Sequence, residues 1–195
     1  MPFSEILRES TVVASRWANV VAGADPRSGF FSEYLKDAAA TAEAWAGGWF
    51  HTGDLVRADA DGNLYFVDRA KNVIRRSGEN ISAVEVESVL AQHPRIAAVA
   101  VAAAPDDMRG DEVLACVVRR EARADDDLPA LAAQITRHAL QQLAYYKAPG
   151  YVAFVDALPL TLSQKVQRAQ LKALAQSLPG KPGCFDTRAM KKRTT

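Results

Sequence analysis

Three short segments carry residue types that can bind a nucleotide or stabilise a developing negative charge. The first, GWFHTGD (48–54), ends in Asp54 directly after a glycine. A tight turn of this kind can present the carboxylate to two sugar hydroxyls. Taken alone, however, the pattern is more typical of an aspartate that caps a turn before a hairpin.

The second segment, DRAKNVIRRSGENIS (68–82), concentrates cations ahead of a glycine turn. Its four basic side chains can bind phosphate or ribose oxygens. Gly78 permits a backbone conformation, or a close approach of a ligand, that a Cβ would forbid. The structural alternative is a solvated charged loop that ends at a helix cap. The cations are Arg69, Lys71, Arg75 and Arg76.

The third segment, LPLTLSQKVQR (158–168), places Lys165 near the start of a helix, after a loop that contains proline and threonine. A lysine there can deliver a compact positive charge to an anion. Alone, it would be an ordinary surface lysine. The chemistry of these segments therefore has to be judged from the three together.

The composition excludes several classes of protein. The 195 residues include 24 Lys and Arg against 23 Asp and Glu, a net charge of +1, which argues against a general binder of nucleic acid or of membrane surfaces. No apolar run is long enough to span a bilayer, and no signal segment opens the chain, so we expect a cytoplasmic protein. The three histidines and two cysteines lack the spacing of metal ligands, so we expect no structural metal; a disulfide between Cys116 and Cys184 stays open.

The elements that must position these segments alternate between strands and helices. Residues 55–67 have the pattern of a β-hairpin, and Ser82 has the spacing of a helix capping box. The order of the elements predicts an α+β fold, with helices packed on a small sheet. The remaining expected elements are strands at 95–104, 111–118 and 151–158, and helices at 37–45, 128–143 and 166–178.

In this order and spacing, the three segments resemble the AMP-forming acyl-CoA synthetases of the adenylate-forming superfamily, which also contains luciferases and peptide-synthetase adenylation domains. The resemblance runs from about Asp25 to the end of the chain and covers the last third of that family's length. The segments SGENIS…VEVE and LPLTLSQKVQR are most similar to those of crotonobetaine, carnitine and related small- to medium-acid CoA ligases. The resemblance implies ATP or AMP and CoA as ligands, with Mg²⁺ accompanying ATP but held by no residue of this chain.

The resemblance also implies a role for each matching residue. Asp54 would hold the ribose hydroxyls of ATP or AMP, and Arg69 would contact the ribose or a phosphate. Lys71 would be the hinge about which the C-terminal domain rotates. Lys165 would orient the carboxylate of the acid and stabilise charge during adenylation. The turn that would shape the pantetheine channel of CoA comprises Ser77, Gly78, Glu79 and Asn80.

The implied domains are a C-terminal lid domain at 72–178 and, before it, the end of a large nucleotide-binding domain at 1–71. Residues 1–20 receive no role, and residues 179–195 are expected to form a flexible tail. Two residues depart from the family pattern, because Ser77 and Gln164 stand where glycine is usual.

The family's phosphate loop and acyl pocket lie in an N-terminal domain that these residues do not include. We therefore expect the chain to be inactive alone and to need a separate adenylation domain, and its sequence does not identify the acid. Two alternatives to a ligase part stay open. One is a stand-alone binding or regulatory lid module, which an exposed apolar patch on residues 1–50 would favour. The other is a non-functional remnant.

Overall fold

The structure is a computed structural model that describes residues 18–22, 32–61 and 63–192. It divides into two compact units, Met1–Lys71 and Asn72–Thr195. Most of the unassigned residues 1–20 and the last three residues of the expected tail lie outside the described residues.

The first unit contains an antiparallel three-stranded sheet in the order β1-β2-β3. The predicted hairpin is confirmed, since β2 and β3 pair along its length. The predicted short helix, α1, is also present, and its first turn is capped by the Asp37 side chain, which accepts from the Ala40 N–H at 2.9 Å. The bounds are β1 at Ala18–Ala22, α1 at Ala38–Ala44, β2 at Phe50–Ala58 and β3 at Leu64–Arg69.

The second unit is a six-stranded sheet with three α-helices among its described residues. Its strands are β4 (Ile74–Arg76), β5 (Glu79–Ile81), β6 (Ile96–Asp106), β7 (Gly110–Arg119), β8 (Tyr151–Phe154) and β9 (Cys184–Asp186). Its helices are α2 (Ala83–Leu90), α3 (Leu128–Gln142) and α4 (Arg168–Ser177). Only the β7–β8 pairing is parallel; the other strand pairs of this sheet are antiparallel.

Strand β7 is the centre of this unit, and it is buried on both faces. Val113 and Val117 join side chains of α2 and α3 in one apolar cluster. Leu114 and Cys116 join side chains of α4, including Leu171, in a second cluster. Because successive strand residues point to opposite faces, a strand covered on both sides becomes the continuous apolar run VLACVV. The α+β class, with helices on a small sheet, is confirmed.

The local signals were most reliable where a helix begins. The predicted cap at Ser82 is confirmed, since its side chain accepts from the Glu85 N–H at 3.2 Å. The cation-rich segment after β3 differs from the expected connection, because residues 74–81 form the short hairpin of β4 and β5. Each strand of this hairpin has three residues, too few for an alternating pattern to be visible in the sequence.

The expected flexible tail at 179–195 is corrected over its described part. Strand β9 pairs with β8 at the edge of the sheet. Thr187 then donates from its hydroxyl to the Pro149 carbonyl at 3.0 Å, and Lys191 is buried against Glu112. The basic residues of the tail predicted a solvated segment. Lys191 is instead buried in an ion pair with Glu112, which the local sequence does not reveal.

The structure also bears on membranes and cysteines. No helix within the described ranges is long and apolar enough to cross a membrane. Cys116 and Cys184 are free thiols, so the possible disulfide is not formed.

Candidate functional site

The first unit places Asp54 and Arg69 opposite each other on β2 and β3. Gly53 has φ +72°, a left-handed conformation that glycine adopts without strain and that turns the strand just before Asp54. The Nε atom of Arg69 lies 2.9 Å from Oδ1 of Asp54, in an ion pair whose side chains are 54% and 29% exposed. The two residues predicted to bind the ribose are therefore adjacent in space, although their positions in the sequence did not require it.

This ion pair leaves an acceptor on Asp54. Within the part of the chain that the structure describes, no group donates a hydrogen bond to Oδ1, although Arg69 Nε is close. The contact is electrostatic and lacks hydrogen-bond alignment. Oδ1 is shielded from solvent beside the Arg69 guanidinium, so the 29% of the Asp54 side chain that is exposed belongs to its other atoms.

In the second unit, Ser77 and Gly78 form the tight turn between β4 and β5. Their φ angles are +51° and +85°, so both central residues are left-handed, as in a type I′ hairpin turn. A Cβ on Gly78 would meet nothing within 4 Å, so this glycine is required by its φ and not by space within the chain. The Ser77 N–H donates to the Arg109 carbonyl at 2.9 Å, which joins the turn to the β6–β7 loop.

The cations of segment 68–82 do not act alike. Arg76, grouped with the ligand-binding cations in the sequence, is buried, and its Nε lies 2.9 Å from Oε2 of Glu112. It is therefore a structural residue, which corrects that expectation. Arg75 and Lys71 stay exposed. Lys71 is the last residue of the first unit.

Lys165 lies in a short hairpin whose backbone closes on itself. Leu160 and Val166 form an isolated antiparallel bridge, and the Thr161 N–H donates to the Lys165 carbonyl at 2.8 Å. The Lys165 N–H donates in turn to Oγ1 of Thr161 at 3.1 Å. Gln164, at the position where the resemblance implies glycine, adopts φ +62°, a left-handed conformation. The Lys165 side chain is exposed and has no acidic partner among the described residues.

The sequence analysis did not single out an ion pair between Arg168, at the start of α4, and Glu87 of α2. Arg168 binds Glu87 through both guanidinium Nη atoms, with Nη1–Oε1 at 2.6 Å and Nη2–Oε2 at 3.0 Å. Eighty-one residues separate the two in the chain. No local pattern links a helix glutamate to an arginine at that distance, although the position of Arg168 three residues after Lys165 was visible.

The predicted residues therefore fall into three groups. Asp54 and Arg69 are paired in the first unit, whereas residues 77–80 and Lys165 occupy different loops of the second. No hydrogen bond or ion pair joins those two loops within the described residues. The described chain also lacks any group of three or more His, Cys, Asp or Glu that could hold a metal ion.

Comparison with known proteins identifies the second unit. Residues 85–165 match the AMP-binding enzyme C-terminal domain. Acyl-coenzyme A synthetase ACSM5 of Homo sapiens is 41% identical over 144 residues, which are 74% of this chain and 25% of that protein. A crotonobetaine/carnitine–CoA ligase of Escherichia coli O139:H28 is 37% identical over 148 residues, or 75% of this chain and 28% of the ligase.

Solved structures agree with this assignment. The anthranilate CoA ligase AuaEII, in complex with anthranoyl-AMP, aligns with 85% of this chain and 31% of its own at a TM-score of 0.71 and 32% identity. ATP-bound MatB from Rhodopseudomonas palustris aligns with 74% of this chain and 28% of its own at a TM-score of 0.63 and 30% identity. The chain spans about a quarter of the length of the curated relatives it matches.

Residues 85–165 therefore form an AMP-binding enzyme C-terminal domain, and the chain is a homologue of acyl-CoA synthetases over about a quarter of their length.

Proposed function

We propose that this chain is the C-terminal part of an ATP-dependent acyl-CoA ligase. In the first half-reaction, a carboxylate oxygen of the acid attacks the α-phosphorus of ATP, and pyrophosphate leaves. In the second, the sulfur of CoA attacks the acyl carbon, and AMP leaves. The observation that carries the proposal is the exposed Lys165, held on a closed hairpin and lacking an acidic partner among the described residues.

The adenylation step needs such a cation. A carboxylate that approaches a phosphate brings two anions together, and negative charge accumulates on the oxygens of the reacting phosphorus. A positive charge that is already in place stabilises this arrangement without reorganisation during the reaction. The Thr161 N–H donates to the Lys165 carbonyl, and the Lys165 N–H donates to Oγ1 of Thr161, so the backbone that carries this cation is held in place before the reaction.

The other residues divide between the nucleotide and CoA. Asp54 and Arg69 would bind the ribose of ATP or AMP, which is supported by their position opposite each other on β2 and β3 and by the partial exposure of both side chains. The turn at 77–80 would line the channel for the pantetheine of CoA, since its four residues are exposed. Lys71 would be the hinge that exchanges the two loops at one reaction centre. Mg²⁺ would accompany ATP.

The acid and the cellular location stay predictions. A carboxylic acid of small to medium size and a role in carnitine metabolism fit the crotonobetaine/carnitine–CoA ligase. A role in fatty acid metabolism fits the medium/long-chain-fatty-acid–CoA ligase of Mycobacterium tuberculosis, whose name points to longer acids. We propose that the protein is cytoplasmic. The proposed partner is a large adenylation domain that carries the phosphate loop and the acyl pocket.

A lid module without catalysis is the second candidate. It is supported by large apolar side chains exposed in the first unit, such as Leu35 at 88% and Phe66 at 60%. Contiguous apolar patches are typical of docking sites, and this candidate requires that these side chains form one. Calorimetry with ATP, AMP and CoA, on the chain with and without an adenylation domain, separates the candidates. Binding or turnover only in the mixture supports the ligase; association without turnover supports the module.

The decisive variant is Lys165→Ala, measured in the chain assembled with an adenylation domain. Loss of one preorganised electrostatic contact should slow acyl-AMP formation by about 10²–10³-fold. Thioester formation from supplied acyl-AMP should change far less. Lys172→Ala removes an exposed lysine of α4 as the matched control. Equal losses in both half-reactions would refute the role of Lys165.

A further inference from the structure

The Lys165 hairpin is closed at its base by Gln167. The Gln167 N–H donates to the Pro159 carbonyl at 2.8 Å, and its side-chain Nε2 donates to the Leu160 carbonyl at 2.7 Å. Gln167 is also the N-cap of α4, a position where side chains usually accept from the helix backbone. It makes no such capping bond. Its side chain therefore stabilises the hairpin and not the helix.

The next residue, Arg168, attaches this hairpin to the sheet and to α2. Besides its two bonds to Glu87, its Nη1 donates to the Val101 carbonyl at 3.2 Å. Oε1 of Glu87 also accepts from the Val101 N–H at 2.8 Å. The arginine and glutamate side chains are 26% and 17% exposed. Bidentate, charge-assisted contacts of this kind fix orientation as well as distance.

We propose that the Glu87–Arg168 ion pair positions Lys165 for acyl-AMP formation. Arg168 contacts no reacting group; it fixes the base of the hairpin, and the hairpin fixes Lys165. A displacement of about 1 Å at a reacting group can reduce a rate by about 10²-fold. This inference rests on the proposed function, in which Lys165 acts during adenylation.

Helix α2 carries a second ion pair that serves as a matched comparison for Glu87–Arg168. Glu85, two residues before Glu87, binds Nζ of Lys147 through both carboxylate oxygens, at 2.7 and 2.8 Å. These side chains are 39% and 21% exposed, so the pair is similarly accessible. Lys147 lies in the segment after α3 and makes no contact with the hairpin through this pair. If Glu87–Arg168 only fastened α2 to its surroundings, loss of either pair would have similar effects.

The first test measures amide hydrogen exchange in the chain itself, with Glu87→Gln, Arg168→Lys and Glu85→Gln. The N–H groups of Gln164, Lys165 and Gln167 each donate within the hairpin. In the first two variants they should exchange about tenfold faster or more, the factor that the loss of a charge-assisted hydrogen bond implies. Exchange at these amides should not change in Glu85→Gln. Equal exchange in all variants would overturn the proposal.

The second test measures both half-reactions in the chain assembled with an adenylation domain. Glu87→Gln and Arg168→Lys should lower kcat for acyl-AMP formation by about 10²-fold. The KM for ATP and the rate of thioester formation from supplied acyl-AMP should change little, because a positioning defect affects only the step that uses Lys165. Glu85→Gln should retain both rates.

The outcomes separate this inference from the proposed function. If Lys165→Ala slows adenylation but Glu87→Gln does not, the positioning role is wrong and the ligase proposal stands. If Lys165→Ala does not change the rate of acyl-AMP formation, the roles of Lys165 and of the ion pair are both wrong and the ligase proposal stands; faster exchange in Glu87→Gln would then show only that the pair stabilises the hairpin. No turnover in the mixture with an adenylation domain would refute the ligase proposal itself. Equal losses in Glu87→Gln and Glu85→Gln would show a general structural role for α2.

Discussion

The turn at 77–80 and the hairpin at 160–166 are each anchored by an arginine–glutamate ion pair, but the two ion pairs differ in burial. Each is an exposed loop with a left-handed residue that is not glycine, Ser77 or Gln164. Each adjoins an arginine that binds a glutamate from another element. Arg76 precedes the turn and binds Glu112, with side chains 4% and 0% exposed. Arg168 follows the hairpin, and its pair with Glu87 is partly accessible to water.

The difference in burial sets what each ion pair controls. Glu112 lies between Arg76 and Lys191, and a Cβ on Gly150 would approach its Cδ to 2.4 Å, so this region has no free space. Removing one member of a buried group leaves charge without a partner and destabilises the fold. When a partly exposed ion pair loses one partner, the remaining charge is still hydrated by water. Loss of the ion pair beside the turn should therefore destabilise the whole second unit. Loss of the ion pair beside the hairpin should alter the hairpin and leave the unit folded.

The largest expected effect distinguishes these two ion pairs by stability. Glu112→Gln keeps the shape of the side chain but leaves Arg76 and Lys191 without a counter-charge, and should lower the free energy of unfolding by about 3–5 kcal/mol. Glu87→Gln should cost about 1 kcal/mol, as is usual for accessible pairs. Urea unfolding of the chain, followed by far-UV circular dichroism, measures both.

The tryptophans give this experiment an internal control. All three lie in residues 1–71, so their fluorescence reports on the first unit. Glu112→Gln should shift the circular dichroism transition of the second unit more than the tryptophan transition. Similar costs for Glu112→Gln and Glu87→Gln would remove the contrast between the two loops.

The second prediction uses pH to test the buried pair. Burial lowers the pKa of Lys191 from its usual 10.5 to about 8, although Glu112 favours the charged form. Between pH 8 and 10.5 the unfolded chain therefore keeps a proton that the folded chain has released. Stability from this residue must then rise with pH in that window, by at most about 1.4 kcal/mol per pH unit. Below pH 8 it contributes no pH dependence.

The measured quantity is the difference in unfolding free energy between the chain and Lys191→Met. Both proteins contain the same two buried thiols, so the effect of the thiols cancels in this difference. Burial raises the pKa of Cys116 to about 12 and of Cys184 to about 11. Both thiols make the folded chain less stable as pH rises above 9. The advantage of the native chain over Lys191→Met should grow from pH 8 to 10. A difference that stays constant or falls would mean that Lys191 keeps its charge in the fold.

The burial of these ion pairs also explains what the sequence could predict. The α+β fold was predictable because its helices carry local signals, such as the Ser82 cap, and because β7 forms an apolar run. The positions of Ser77–Gly78 and Lys165 on loops were predictable from turn residues. The assignment of Arg76 to the core and of Lys191 to an ordered tail was not, since each depends on Glu112, 36 and 79 residues away. A charge by itself does not reveal whether its partner is a ligand or another residue.

The smallest expected effect compares the left-handed residues of the two loops. A residue with a Cβ loses roughly 1–2 kcal/mol in a left-handed conformation, and glycine gives back roughly 0.5–1 kcal/mol through its flexible unfolded state. Ser77→Gly and Gln164→Gly should therefore each stabilise the second unit by about 0.5 kcal/mol. Ser77→Ala and Gln164→Ala keep the Cβ and should give no gain in the same unfolding assay.

The two glycine variants should differ in the hairpin itself. Ser77 is held by its N–H bond to the Arg109 carbonyl next to a buried ion pair, so Ser77→Gly should leave amide exchange of the turn nearly unchanged. Gln164 lies beside Lys165 in a loop attached through a partly exposed pair. Glycine there relieves strain but widens the range of backbone conformations, so exchange at Lys165 should become faster even as the unit becomes more stable. Slower exchange at Lys165 would mean that strain at Gln164, and not the ion pair at the base, limits how firmly the lysine is held.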